Sequence, residues 1–177
     1  MGYINHKLKE LEMSAKTAIP RKKPSLPLKI ALSKGLIKGK ILDYGCGRGT
    51  DVEYLKSLGY DAVGYDPNYF PDKSILTNNT HDTVLCFYVL NVVFPQTREE
   101  ILKDIHRVLK PNGVAIIAVR DITEEVKGKP YLDGVITAKG TFQKLFSPEE
   151  LKSLVSKYFK EVKIISRSRP LMVIARK

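Results

Sequence analysis

The chain has 177 residues, of which 43% are hydrophobic and 28% charged, and it carries a net charge of +11. That apolar fraction excludes a disordered chain, and the length suits one domain of about 100–200 residues with a full core. Two cysteines, Cys46 and Cys86, make neither a disulfide framework nor a metal set, so no metal is expected. No apolar run reaches the ~18 residues needed to span a bilayer. With no apolar N-terminal stretch and His6 where myristoylation expects Ser or Thr, the default is a soluble cytoplasmic protein with no membrane partner.

The charge is unevenly spread. Residues 1–40 carry ten Lys and Arg against two acids, residues 41–119 seven against ten, and residues 120–177 thirteen against seven. A mildly acidic middle between basic flanks suits a cationic ligand in the centre and a polyanion, such as nucleic acid, at the edges. Solubility alone is the plainer account of the same flanks.

In chain order, residues 1–39 read as a basic, helical N-terminal extension of the same domain. A helix over residues 2–18 would present Ile4, Leu8 and Leu11. Residues 20–27, dense in proline, should be extended and exposed, and a second helix follows over 28–36. Residues 40–177 then alternate strands and helices. Strands are predicted over 40–44, 60–65, 83–93 and 114–119. The helix over 50–58 has an apparent capping box in Thr50 and Glu53, and a later helix has another in Thr97 and Glu100, stopped by Lys110-Pro111-Asn112-Gly113. Residues 120–146 form a polar, glycine-dotted insertion on the substrate side. Ser147 to Glu150 cap a last helix, before strands over 161–165 and 171–175. The pattern predicts an α/β fold, doubly wound around a mostly parallel sheet, with one antiparallel strand near the edge.

The informative segment is Asp43-Tyr44-Gly45-Cys46-Gly47-Arg48-Gly49. Alternate glycines after a strand let the backbone turn sharply and leave the space above it bare, so a ligand can lie on the main chain. Asp66, ending the second strand, is placed to accept both hydroxyls of an adenosine ribose. A dinucleotide site would have its third glycine one residue later, and Asp43 would face a pyrophosphate. S-adenosylmethionine is a sulfonium without phosphate, and an acid beside the loop favours it. A glycine turn that binds nothing is the third reading.

ILDYGCGRGTD, GYDPNYF, HDTVLCFYVLNVV and HRVLKPNG together resemble class I S-adenosylmethionine-dependent methyltransferases. The resemblance implies a Rossmann-like sheet of seven strands in order 3-2-1-4-5-7-6, with strand 7 antiparallel. It implies cofactor contacts along Asp43, Tyr44, Gly45, Cys46 and Gly47 and at Asp66, with the adenine near Pro67. TAIPRKKPSLPLK and GTFQKLFSPEEL also look like the small methyltransferases found with DNA phosphorothioation systems. The sequence departs from the family between Phe70 and His81, where no third strand is evident. The acid that holds the adenine amino group is missing there, and Asn78, Asn79 or Asp82 are the candidate substitutes.

The acceptor is less legible. The D/N/S-P-P-Y/F element of amino-methylating DNA enzymes is absent, and neither cysteine sits where a covalent nucleophile would. Transfer by positioning remains, with Tyr88 and Asn91 as the catalytic candidates. His6 falls in an expected flexible tail, and His81 and His106 read as packing residues. Arg21, Lys22 and Lys23, with Arg167 and Arg169, form a candidate phosphate site, and the insertion, with Tyr131, Lys139, Phe142 and Lys144, a candidate lid. The leading reading is a methyltransferase acting on nucleic acid or a nucleotide-like polyanion. The alternatives are a small-molecule methyltransferase and a non-catalytic binding subunit. Nothing in the sequence specifies an oligomeric state.

Overall fold

The structure is a computed structural model and describes residues 2–177. Its centre is a six-stranded sheet. The strands are β1 (Lys40–Tyr44), β2 (Asp61–Tyr65), β3 (His81–Phe87), β4 (Leu109–Val119), β8 (Glu161–Arg167) and β9 (Leu171–Arg176), in the order β2-β1-β3-β4-β9-β8. β2, β1, β3 and β4 run parallel, and β9 runs antiparallel to both β4 and β8.

Both faces of the sheet are buried, and the period of two along each strand decides which side chain goes where. Leu42, Val84, Cys86, Ile117 and Val173 face α4 (Pro95–Val108) and α5 (Pro148–Ser156), which contribute Leu102, Ile105, Leu151 and Val155. Ile41, Leu85, Ile116 and Met172 face α2 (Leu26–Ser33) and α3 (Thr50–Ser57), which contribute Leu28, Ala31, Val52 and Leu55.

Six strands take the expected order, but the place of the third is not filled among the described residues. Between β2 and β3 there is a single 3-10 turn, Lys73–Ile75, capped by the Asp72 carboxylate. A parallel crossover of its own needs a dozen or more residues, and this segment is short, polar and broken by Pro71. β2 is therefore an edge strand.

Several local expectations change. Gly49, at φ +82, is the N-cap of α3, so Thr50 and Glu53 form no capping box, and the Thr50 hydroxyl donates to the carbonyl of Arg21 at 3.2 Å. α4 begins at Pro95, two residues before Thr97. Its free N-terminal groups are met from another helix, α1 (Gly2–Ala15): the Phe94 amide donates to Glu10 Oε1 at 2.5 Å and the Thr97 hydroxyl to Glu10 Oε2 at 2.8 Å. β4 starts directly after α4, and the expected stop at Pro111 to Gly113 is an irregularity inside that strand. α2 begins at Leu26 with Pro27 in its first turn, a position that needs no amide, so the exposed stretch ends at Pro24. The capping box of Ser147 with Glu150 forms. His6 lies in α1, its ring centroid 4.6 Å from that of Phe94, rather than in a flexible tail.

Residues 120–146 contain a small antiparallel sheet of β5 (Lys129–Tyr131), β6 (Gly134–Ile136) and β7 (Phe142–Gln143). Phe142 packs with Met13 of α1 and with Phe94, tying the insertion to the N-terminal helix.

Candidate functional site

The carboxyl ends of β1, β2 and β3 open on one side of the sheet, where ligands of open α/β folds bind. β1 ends in a loop with Gly45 at φ +81 and Gly47 at φ +55. The Gly45 and Cys46 amides both donate to the Tyr65 carbonyl, at 2.7 and 2.9 Å, which folds the loop against the end of β2. A Cβ at Gly45 would sit 2.3 Å from Val89 Cγ2, so glycine is required there. A Cβ at Gly47 would meet only Ala18 Cβ, at 3.6 Å, so the loop is bare on that side.

Asp66 holds this loop. Its Oδ2 accepts from the Gly47 amide at 3.0 Å, and its Oδ1 accepts from the amides of Asn68 and Tyr69 at 2.8 and 3.1 Å. A carboxylate with three amide donors is fixed in place; Oδ1 is filled by two of them, and Oδ2 keeps one lone pair for a ligand hydroxyl.

A cavity of about 1300 Å³ lies over the loop. Its floor includes Tyr44, Gly45, Cys46, Gly47, Asp66 and Pro67. One wall is the α1 stripe of Ile4, Leu8 and Leu11, which the sequence marks as apolar and which the protein leaves exposed toward this space. Beyond Gly47 the segment Thr17 to Arg21 crosses the loop. The lining also includes Tyr88, Asn91, Arg120, Gln143 and Arg169, and Tyr65, Asp104 and Arg107.

Tyr88 and Asn91 are thus brought together with the loop. Tyr88 leaves β3 at φ +59, held by its amide donating to the Ala118 carbonyl at 2.8 Å. Burial first, then Glu124, raises its phenol above the ordinary value, so it stays neutral at neutral pH. Asn91 is buried; its Nδ2 donates to Gln143 Oε1 at 3.4 Å, and its Oδ1 has no partner among the described residues.

Other candidates fall elsewhere. Asp43 is buried behind the loop and does not line the cavity. Burial pushes its carboxyl well above the usual range, Asp51 adds to this, and Arg21 opposes it. Lys22 and Lys23 are exposed outside the cavity, whereas Arg21 lines it. Arg167 pairs with Glu149 at 2.9 Å on the surface. Burial raises the Cys46 and Cys86 thiols, which argues against thiolate chemistry at either. His81 Nε2 meets the Ile75 carbonyl at 3.0 Å, and His106 packs on Phe159, both away from the cavity.

Asn78, Asn79 and Asp82 bond to Arg107, Lys177 and Lys110, and none lines the cavity. The acid in that quarter is Asp104, whose Oδ2 accepts from the Tyr44 hydroxyl at 2.8 Å. It lies on α4, 60 residues from its partner in sequence, and no local motif marks it. Glu10, Arg120 and Gln143 are likewise visible only in three dimensions. Among the described residues no helix is long and apolar enough to cross a membrane, and no group of three or more metal-ligating side chains gathers.

A family profile described as a methyltransferase domain matches residues 11–158. Ubiquinone biosynthesis O-methyltransferases of Rickettsia conorii and Rickettsia typhi are 24% and 26% identical to it, over 78% and 71% of this chain. The chain spans only 54% and 61% of those relatives' lengths. Among solved structures, an S-adenosylmethionine-dependent methyltransferase from Archaeoglobus fulgidus superimposes with a TM-score of 0.63 at 17% identity, over 86% of this chain and 93% of that one. The Burkholderia thailandensis 1,6-didemethyltoxoflavin-N1-methyltransferase, with S-adenosylhomocysteine bound, gives 0.60 at 19% identity, over 99% and 83%. These matches carry the broad family and not the narrower phosphorothioation-associated group. With most of its length inside one family profile and a glycine loop, acid and sheet order of the expected kind, the chain belongs to the class I S-adenosylmethionine-dependent methyltransferases.

Proposed function

We propose that the cavity binds S-adenosylmethionine along the Gly45–Gly47 loop and methylates a small molecule enclosed beneath α1. The observation that carries the acceptor reading is the wall of Ile4, Leu8 and Leu11, an apolar surface along the cavity. The O-methyltransferase names of the two curated relatives support it. Lys22 and Lys23, expected to track a polyanion, lie outside the cavity and act here as a solvated face.

The residues fit the cofactor. The bare side of Gly47 admits an adenosyl group against the main chain, and Asp66 Oδ2 accepts from a ribose hydroxyl. Asp104 and Tyr44, hydrogen-bonded to each other on the cavity lining, stand as partners for the adenine edge. When bound, the cofactor supplies a methyl group already activated on a sulfonium. The protein's part is then orientation and exclusion of water. The phenol of Tyr88, on the cavity lining, holds the acceptor's oxygen or nitrogen, with the buried Asn91 beside it, and α1 covers it. Radiolabelled cofactor offered with small phenols, amines and carboxylic acids, beside DNA and RNA, tests the assignment. Label in a small molecule is expected, whereas label in nucleic acid alone would replace it with the polyanion reading.

A further inference from the structure

We infer that the methyl acceptor is an anion, gripped through a carboxylate or phosphate by Arg120 and Arg169 on the cavity lining, to which Arg21 also belongs. The inference rests on the small-molecule reading above and names its substrate class.

Arg120 and Arg169 come from the ends of different elements, yet both line the cavity and both are laid on one turn, residues 121–124. Arg120 Nε donates to Glu124 Oε1 at 3.0 Å and its Nη2 to the Glu125 carbonyl at 3.4 Å. Arg169 Nε donates to Thr123 Oγ1 at 3.2 Å and its Nη2 to the Thr123 carbonyl. The turn is rigid because Asp121, fully buried at its base, accepts from the Thr123 amide at 2.9 Å and the Arg169 amide at 2.7 Å.

A guanidinium has five N–H donors and no acceptor. Each of these two engages a single Nε donor and one Nη2 donor, and the Nη1 of each has no acceptor among the described residues. Arg21 comes no nearer than 3.9 Å to its carboxylate neighbour Asp51, whose oxygens already accept from the Ser25 amide and hydroxyl at 2.8 and 2.6 Å. Glu124 lines the cavity, whereas Asp51 and Asp121 are buried and do not. Glu124 and Thr123 therefore set Arg120 and Arg169 in position on the cavity lining, and the Nη1 donors of both are left unused. Such donors match the oxygens of a carboxylate or phosphate.

The same charges reach the reacting end. Besides burial, the Tyr88 phenol feels Glu124, Arg21, Arg120 and Asp121, so the clamp and Tyr88 lie in one neighbourhood. An acceptor held by its anion at the arginines would present another part of itself to Tyr88 and Asn91, and neutral analogues would lack the anchor.

Titration of the protein saturated with S-adenosylhomocysteine by benzoate, phenyl phosphate and benzamide tests this. Wild type should bind one or both anions at least about tenfold more tightly than the isosteric amide. Whichever anion binds more tightly names the group. The double variant Arg120→Gln, Arg169→Gln should lose the preference to within about twofold while its affinity for S-adenosylhomocysteine stays as in wild type. Equal or absent binding of anion and amide, a preference surviving in the double variant, or displacement of benzoate by a DNA oligonucleotide would each overturn the clamp. A wild type that takes no S-adenosylhomocysteine overturns the cofactor reading and this inference with it, whereas cofactor binding without anion preference overturns the clamp alone.

Discussion

Arg98 and Asp133 join α4 to the tip of the β5–β6 hairpin through both terminal nitrogens of the guanidinium, with Nη2 to Oδ1 at 3.1 Å. The same side chain donates from Nε to the Leu90 carbonyl at 2.7 Å. One buried cation thus fixes the segment between Tyr88 and Asn91 and the insertion beside it. Removing it would leave the Leu90 carbonyl unpaired and the hairpin free. Arg98→Met should cost about 2–4 kcal/mol of stability, and Asp133→Asn less, because Asp133 reaches solvent. Denaturant unfolding of the two single variants and the double gives their coupling, and equal small losses in all three would show that the pair is not a link.

Glu10 plays the same part for α1. Its two oxygens serve the Phe94 amide and the Thr97 hydroxyl, so the wall over the cavity is fastened to the first turn of α4. Glu10→Ala should cost about 1–2 kcal/mol and speed amide exchange throughout α1. Unchanged exchange in α1 would place its docking elsewhere.

The two loop glycines should respond differently. Gly45→Ala meets Val89 at 2.3 Å as well as a positive φ, so it should unfold the loop and abolish cofactor binding. Gly47→Ala carries only the cost of its φ, about 1–2 kcal/mol, with its Cβ at an ordinary 3.6 Å from Ala18. Thermal unfolding of both variants checks the order, and a Gly47 variant less stable than the Gly45 variant would contradict it.

Asp43 sets a pH dependence. Burial raises its carboxyl in the folded protein, so between the ordinary carboxylate value and the raised one the native state holds a proton that the unfolded chain has released. Its contribution to stability therefore falls as pH rises through that window. Asp43→Asn removes this slope and should be more stable than wild type at neutral pH, with the difference shrinking toward acid. Chemical denaturation of both proteins across that range reads it, and a wild type that gains on the variant as pH rises would reverse the sign.

The parts legible in the sequence are those where local chemistry and tertiary context agree. The alternation that sends Leu42 and Val84 one way and Ile41 and Leu85 the other follows from the strand period alone. The glycine turn after β1, the acid ending β2 and the Ser147 cap are short-range features, and the structure has all three where the sequence places them. Thr50 with Glu53 satisfies the capping pattern and still fails, because Gly49 in the left-handed region turns the Thr50 hydroxyl toward Arg21. Ile4, Leu8 and Leu11 read as an ordinary apolar face; that the face lines a cavity depends on Glu10 meeting a helix 84 residues away. No local pattern marks Asp104 either, since its place beside Tyr44 comes from the fold and not from any spacing.

In the proposed function, Asp66 holds the ribose of an adenosyl cofactor above the loop. Calorimetric titration with S-adenosylhomocysteine, on wild type and Asp66→Ala, tests this most directly. Wild type should bind in the range of about 1–100 μM, and the variant at least about tenfold more weakly, through loss of a charge-assisted bond to the ribose. Equal affinity in the two proteins, or binding of a nicotinamide dinucleotide in place of S-adenosylhomocysteine, would contradict it.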